Sequence, residues 1–288
     1  MLVRDILIET ARNFAGAGIA SPQLDAEILL SFCMNCERLD FFKNPAAPVD
    51  GKTLALFQKL VERRLKWEPV AYITGRKEFW SFVLEVDNSV LIPRPDTEVL
   101  VEEALNICRQ LDCPEIKILD IGTGSGAIAL ALACEIPRAR LLATDISAAA
   151  LALAAKNAHN LNLDKQIEFR LGDLLERVDD FFDIIVSNPP YIAADEYEKL
   201  PAGVKNYEPA EALRAGTDGL DYYRKIIVQA PGYLKNNGWL LLEIGSTQDA
   251  PIVDIFNASG QYSDISIRKD YAGLPRVIQA QARRKISG

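Results

Sequence analysis

"IKILDIGTGSG" spans residues 116–126, and its reading decides the fold. Ile116, Ile118, Leu119 and Ile121 make a nearly continuous apolar run, the pattern of a strand buried on both faces of a parallel sheet. Three glycines at alternate positions follow, and then the helical, alanine-rich "AIALALACE". A strand, a glycine turn and a helix in that order let the backbone approach a ligand and present free N–H groups at the helix N-terminus.

Downstream the alternation continues. "RLLATDI", "QIEFRL", "FDIIVSN" and "GWLLLEIG" read as strands. "SAAALALAAKNAHNLN", capped by Ser147, "GLDYYRKIIVQAPGYL", with Pro231 placed to interrupt it, and "TQDAPIVDIFNAS" read as helices. Alternating strands and helices predict a mostly parallel sheet covered on both faces. The last two strands, "YSDISIRKD" and "RVIQAQAR", are separated by a short loop and predict an antiparallel edge.

Upstream the character changes. Residues 1–67 read as a small helical bundle: Leu2, Ile6, Leu7, Ala11 and Phe14 recur at helical spacing, and "SPQLDAEILL" opens with Ser21 as N-cap and Pro22 at the first helical position. Residues 68–94 read as a linking β-hairpin, with "FWSFVLEV" and "SVLIP" as its strands and Asp87 and Asn88 at its turn. Residues 95–288 then form the α/β domain, opening with the helix "RPDTEVLVEEALNICRQL".

Composition bounds the function. The chain has 288 residues, about half hydrophobic and a quarter charged, with a formal net charge of −8. That charge argues against broad nucleic-acid binding, which needs clustered Lys and Arg, and the terminal "RRKISG" is too short to serve alone. No apolar run approaches the ~20 residues of a membrane helix, and the N-terminus does not read as a signal peptide, so a cytoplasmic protein is expected. Five cysteines and a single histidine, His159, leave no metal site and no His-based triad in prospect. Cys33 and Cys36 form a C-x-x-C inside an apolar helical stretch and read as structural.

The glycine loop Gly122, Thr123, Gly124, Ser125, Gly126 reads as a cofactor cradle, and Asp145, at the end of the next strand, offers a carboxylate to a ribose. Gly122, Gly124 and Ala127 also satisfy the loose dinucleotide fingerprint, so a nicotinamide enzyme is an alternative at this point. Two features favour S-adenosylmethionine: the D-x-G-x-G-x-G spacing from Asp120 resembles the first motif of class I methyltransferases, and Asp173 follows the third strand, where that family places a group near the adenine amine.

A second constellation, "SNPPY" at 187–191, ends the fourth strand of the alternating region. Prolines carry no N–H, so this loop presents carbonyl acceptors and few donors. A planar –NH2 group has two donors to place: Asn188 Oδ1 can take one and the Pro189 carbonyl the other, with Pro190 stiffening the loop and Tyr191 stacking on the planar group. That fixes the nitrogen with its π face toward an electrophile. An in-line transfer from a sulfonium spreads positive charge in the transition state, which a dry, preorganised site favours.

With these motifs the chain resembles the class I release-factor glutamine N5-methyltransferases over nearly its whole length. Further shared stretches are "EPVAYITGRKEFW" (68–80), "LIPRPDTE" (91–98), "YEPAEAL" (207–213), "LLLEIG" (240–245) and "KDYAGLPRV" (269–277). The resemblance implies a Rossmann-like class I S-adenosylmethionine methyltransferase domain, with a mostly parallel seven-stranded sheet and an antiparallel edge, behind a helical bundle that docks the protein partner. It implies methyl transfer to the side-chain amide N5 of the glutamine in the Gly-Gly-Gln motif of class 1 peptide-chain release factors, a modification of translation termination, with S-adenosylhomocysteine as product. Carried over position by position, Gly122 to Gly126, Asp145, Asp173, Leu174 and Asn188 would bind the cofactor; Asn188 to Tyr191 would hold the substrate, with Asn188 and Pro189 as the catalytic pair. Arg94 and Thr97 would support the site, or else cap a helix and form a surface ion pair. Ala210 stands where the family frequently has arginine after proline, so any contact made by that arginine is missing. The alternatives are a DNA adenine-N6 methyltransferase, which would have to flip its base and grip phosphates, and a non-catalytic cofactor-binding docking module.

Overall fold

The structure, a computed structural model, describes residues 1–283. The end of the "RRKISG" run therefore lies outside the described residues. The chain divides into two compact units: Met1–Arg76 with Pro201–Tyr207, and the remainder.

The first unit contains helices α1 (Val3–Gly16), α2 (Pro22–Met34), α3 (Arg38–Lys43), α4 (Gly51–Leu65) and the short α5 (Val70–Thr74). Their apolar faces close on a core of Phe14, Leu29, Leu30 and Phe57. Pro22 starts α2 as expected, but Ser21 makes no side-chain capping bond. Side-chain caps stand instead at α3, where Glu37 and Asp40 form a capping box, and at α4, where Asp50 accepts from the backbone N–H groups of Lys52 and Thr53. Cys33 and Cys36 are unpaired thiols packed against this core.

The expected hairpin exists but is shifted. Strands β1 (Arg76–Phe79) and β2 (Phe82–Glu85) turn at Trp80 and Ser81, not at Asp87 and Asn88. Trp80 takes a left-handed φ of 56°, and its N–H donates to Glu98 Oε1 at 2.9 Å. Asp87 folds back on its own loop, accepting from Ser89 N at 2.9 Å, and "SVLIP" runs on without strand pairing. Aspartate's tendency to bond the backbone two residues on explains the difference. The stretch expected as linker is thus partly helix α5 and partly a hairpin whose greater part, from Lys77, clusters with the second unit.

The second unit carries α6 (Glu98–Gln110), β3 (Ile116–Ile121), α7 (Ala127–Glu135), β4 (Ala139–Asp145), α8 (Ala148–Asn160), β5 (Ile167–Leu171), β6 (Phe182–Ser187) and the one-turn α9 (Ala194–Tyr197). The chain then passes through another single turn, α10 (Ala202–Lys205), in the first unit, and returns for α11 (Asp221–Gln229), β7 (Leu234–Glu243), α12 (Asp249–Ser259), β8 (Tyr262–Lys269) and β9 (Pro275–Ala282). As Pro231 implied, α11 stops at Gln229 and a 3-10 turn follows.

The seven strands lie in the order β5-β4-β3-β6-β7-β9-β8. The first five are parallel; β9 runs antiparallel to β7 and to β8. Leu119, Ile121, Ile185, Leu240 and Leu242 form the inner face of the core, with Tyr223, Ile226 and Ile227 of α11 packed on it. Strand order reverses between β3 and β6, and such a switch point opens a crevice at the carboxyl ends of the strands.

Candidate functional site

The register across that switch point brings the two sequence motifs together. Ile121 pairs with Ser187, so the glycine loop after β3 and Asn188 after β6 leave adjacent strands side by side. Ile121 also pairs with Thr144, which sets Asp145 beside the same loop. A cavity of about 440 Å³ opens there, within the size range of small-molecule sites.

Gly122, Gly124 and Gly126 all take left-handed φ values, of 72°, 55° and 86°. A Cβ built on Gly122 or Gly124 would meet no atom within 4 Å, and both residues line the cavity. Gly126 does not line it; a Cβ there would stand 3.1 Å from Leu130 Cδ1 and 3.3 Å from the Ala154 Cβ, so this glycine lets α7 and α8 pack closely. Asp145 fixes the loop from the other side: Oδ2 accepts from Gly124 N and Oδ1 from Ser147 N, each at 2.9 Å. Each oxygen keeps lone-pair capacity for a further hydrogen bond.

Asp120, below the loop, is fully buried. Its Oδ2 accepts from Thr123 Oγ1 at 2.7 Å, while Oδ1 has no partner. Burial pushes its carboxyl up to about 7, against the lowering effect of the Thr123 hydroxyl. Buried Asn157 of α8 ties the parts together: Oδ1 accepts from Glu85 N at 2.8 Å, and Nδ2 donates to the carbonyls of Glu85 and Ser125 at 3.0 Å each.

Thr123, Ser125, Asp173 and Leu174 line the cavity with the glycines and Asp145. Leu174 holds a φ of 50°, an unusual conformation for a residue with a Cβ, and its carbonyl accepts from Thr144 Oγ1 at 3.4 Å. Val90, Leu91, Ile128 and Ile146 supply apolar wall that the sequence reading did not single out. Ile146 carries the one signal legible in the sequence, an apolar residue directly after the strand-end Asp145. The donor set suits a nucleoside: a carboxylate for a diol, apolar walls for a base, and glycines where a side chain would intrude.

At the other end stand Asn188, Pro189 and Pro190, all lining the cavity. Asn188 Nδ2 donates to Thr97 Oγ1 at 3.2 Å, and Thr97 also lines the cavity. Arg94 lies there too, with Nη2 2.6 Å from Oε1 of Glu208, whose Oε2 accepts from Ile92 N at 3.2 Å. "LIPRPDTE" and "YEPAEAL" are thus joined through a buried carboxylate, and Arg94 is no free surface cation. Tyr191, expected to stack in the site, does not line the cavity: it is packed against the sheet core. Its carbonyl accepts from Gln248 Nε2 at 3.0 Å, and burial raises its phenol pKa. A proline on its N-terminal side and this carbonyl anchor direct the ring inward.

Comparison with known proteins places the chain among its relatives. The profile of the PrmC N-terminal domain matches residues 5–75, and that of the methyltransferase small domain matches residues 97–202. A release factor glutamine methyltransferase of Moorella thermoacetica is 41% identical over 98% of this chain and 99% of its own. One from Rhodopirellula baltica is 38% identical over 97% of this chain and 96% of its own. Among solved structures, the hMettl16 catalytic domain, in complex with MAT2A 3'UTR hairpin 6, superposes with a TM-score of 0.58 at 18% identity, covering 71% of this chain and 77% of that one. That is a likeness of fold. Among the described residues, no helix is long and apolar enough to cross a membrane.

Proposed function

This chain belongs to the release factor glutamine methyltransferase family, and we propose that it transfers a methyl group to the side-chain amide nitrogen of the glutamine in the Gly-Gly-Gln motif of class 1 release factors. The observation that carries the reading is the neighbouring position of Asn188 and the glycine loop at the switch point.

S-adenosylmethionine, when bound, supplies an electrophilic methyl on a cationic sulfur. Asp145 would hold its ribose hydroxyls, and the loop from Gly122 to Ser125 would follow its chain, with Gly126 shaping that loop from behind. Asp173 and Leu174 would flank the adenine. At the far end, Asn188 Oδ1 and the Pro189 carbonyl would accept the two N–H donors of the substrate amide. Accepting both hydrogens pushes density onto an otherwise delocalised nitrogen lone pair, and the methylated nitrogen would then release one of its two protons to water. Pro189 and Pro190 keep the acceptors fixed, so little ordering entropy is lost on binding. Tyr191 acts in this reading as an internal support for the loop rather than as a stacking platform.

We further propose that the N-terminal helical unit docks the release factor, that the enzyme works in the cytoplasm where translation terminates, and that the acceptor is protein rather than nucleic acid. The test is mass spectrometry of a release-factor Gly-Gly-Gln domain after incubation with S-adenosylmethionine and either wild type or Asn188→Ala, with duplex DNA as a separate acceptor. One added methyl on the glutamine with wild type, severe loss with the variant and no label on DNA are expected. Label on DNA alone would favour an adenine methyltransferase. Tight cofactor binding without transfer to any acceptor would favour a docking module.

A further inference from the structure

Glu243 ends β7 and has had no part in the site so far. Ser187 pairs with Leu242, so Asn188 and Glu243 stand next to each other one step further along β6 and β7. Glu243 is 1% exposed and does not line the cavity. Its Oε2 is buried with no hydrogen-bond partner. A carboxylate placed there, directly after the buried run Leu240–Leu242, needs a reason: burial without a full set of partners is unfavourable.

Its surroundings supply one. Burial raises its carboxyl to about 7, opposed by the Thr97 hydroxyl, by the positive charge of the Arg276 guanidinium and by the Asn188 amide. Arg276, on β9, lies 3.2 Å from Asp270 and 3.1 Å from Asp96, and its backbone carbonyl accepts from Ile244 N at 2.8 Å. Asp270 is itself fixed by the N–H groups of Ala272 and Leu274. The "KDYAGLPRV" and "LLLEIG" stretches thereby form a brace that ends on the amide of Asn188.

Resting on the reaction given above, we propose that Glu243 is a positioning residue: an acceptor-only carboxylate that turns the Asn188 amide so that Nδ2 faces Thr97 and the core while Oδ1 faces the cavity. The two ends of an asparagine amide are nearly the same shape, and Thr97 alone cannot choose between them, because a hydroxyl both donates and accepts. An ionised carboxylate accepts only, and it repels Oδ1. Only one amide orientation satisfies it, and that orientation offers the substrate N–H an acceptor rather than a second donor.

The test uses the full chain loaded with S-adenosylhomocysteine and measures its affinity for the release-factor Gly-Gly-Gln domain by calorimetry, for wild type, Glu243→Gln, Asn188→Ala and the double variant. Glutamine can turn either end toward Asn188, so Glu243→Gln should weaken domain binding roughly tenfold, the scale on which outer partners of a site residue act. S-adenosylhomocysteine affinity should stay at the wild-type value, which also certifies the fold. In the Asn188→Ala background the glutamine substitution should add nothing.

A second readout is pH. Wild-type binding should weaken as pH falls through about 7, where Glu243 gains a proton and becomes a donor, and Glu243→Gln should lose that dependence. The charged and titratable groups facing Glu243 are Asp96 beside Thr97, Tyr191 after β6, Tyr223 of α11 and Arg276 of β9. Burial raises both phenols, and Asp270, Glu243 and Asp96 hold the guanidinium above its usual range despite its burial, so none of these three titrates near neutrality. Wild-type affinity in Glu243→Gln, or additive losses in the double variant, overturns the proposal. A wild type that neither binds nor methylates the domain overturns the substrate reading, and the role of Glu243 falls with it.

Discussion

Asn188 donates from Nδ2 to Thr97 Oγ1 at 3.2 Å, joining residues 91 positions apart. The bond commits one edge of the amide to the protein and turns the other away from it. Thr97→Val keeps the shape and removes the acceptor. A neutral hydrogen bond contributes about 0.5–1.5 kcal/mol, so kcat/KM for the release factor should fall roughly two- to tenfold. S-adenosylhomocysteine affinity should hardly move. An equal loss in both would mean that Thr97 shapes the whole cavity instead of orienting Asn188.

Gly122 and Gly126 share a left-handed φ but have different surroundings, so alanine should act differently at each. At Gly126 the new methyl meets Leu130 and Ala154. Left-handed strain of about 1–2 kcal/mol and crowding of about 1–3 kcal/mol should lower the unfolding free energy. At Gly122 the methyl enters open space at the cavity, so the strain remains and the larger effect should fall on cofactor affinity. Paired denaturant melts and calorimetry would separate the two; a Gly122→Ala protein with unaltered S-adenosylhomocysteine binding would contradict the cradle.

Much of this was legible in the residues. The alternating pattern gave the sheet, because parallel strands buried on both faces are nearly continuous apolar runs, as Ile116–Ile121 is apart from Lys117 and Asp120. The glycine loop and "NPPY" were readable because each needs residue types that ordinary elements avoid. What escaped is what depends on distant partners. Nothing near Thr97 announces that it will meet Asn188, and nothing near Glu208 announces Arg94. The hairpin turn moved because Asp87 satisfied itself locally while Trp80 was held by Glu98. Tyr191 looked like a platform, but the Gln248 bond to its carbonyl, set by a loop 57 residues away, directs the ring into the core.

The Arg94–Glu208 pair is expected to hold the substrate-side wall together. Glu208 is buried and accepts from both Ile92 N and Arg94, while the Arg94 side chain is 35% exposed. Removing the carboxylate with Glu208→Ala leaves a buried backbone N–H without its acceptor. Allowing for the solvent around Arg94, a loss of about 1–3 kcal/mol in stability is expected. Arg94→Lys should cost less, because the carboxylate keeps its backbone donor. Chemical denaturation of the two variants side by side tests that order, and a more damaging Arg94→Lys would reverse the assignment of the wall to Glu208.

Asp120 makes stability depend on pH in the opposite sense to an ion-paired carboxylate. Burial, only partly offset by Thr123, raises its folded pKa to about 7, against about 3.9 in an unfolded chain. Between those values the native state holds more protons than the unfolded state, so the slope of unfolding free energy with pH is negative. Stability from this group is fully present below about pH 4 and is lost as pH rises through about 7. Asp120→Asn stays neutral at every pH. The variant should therefore be more stable than wild type at pH 8, by about 1–3 kcal/mol after allowing for relaxation around a fully buried group, and the gap should close toward pH 5. Glu243, raised to about 7 by the same burial, is common to both proteins and drops out of the difference. Melting both at matched pH decides the matter. A variant less stable at pH 8 would mean that the ionised carboxylate, through Thr123 and the glycine loop, supports the fold more than its burial opposes it.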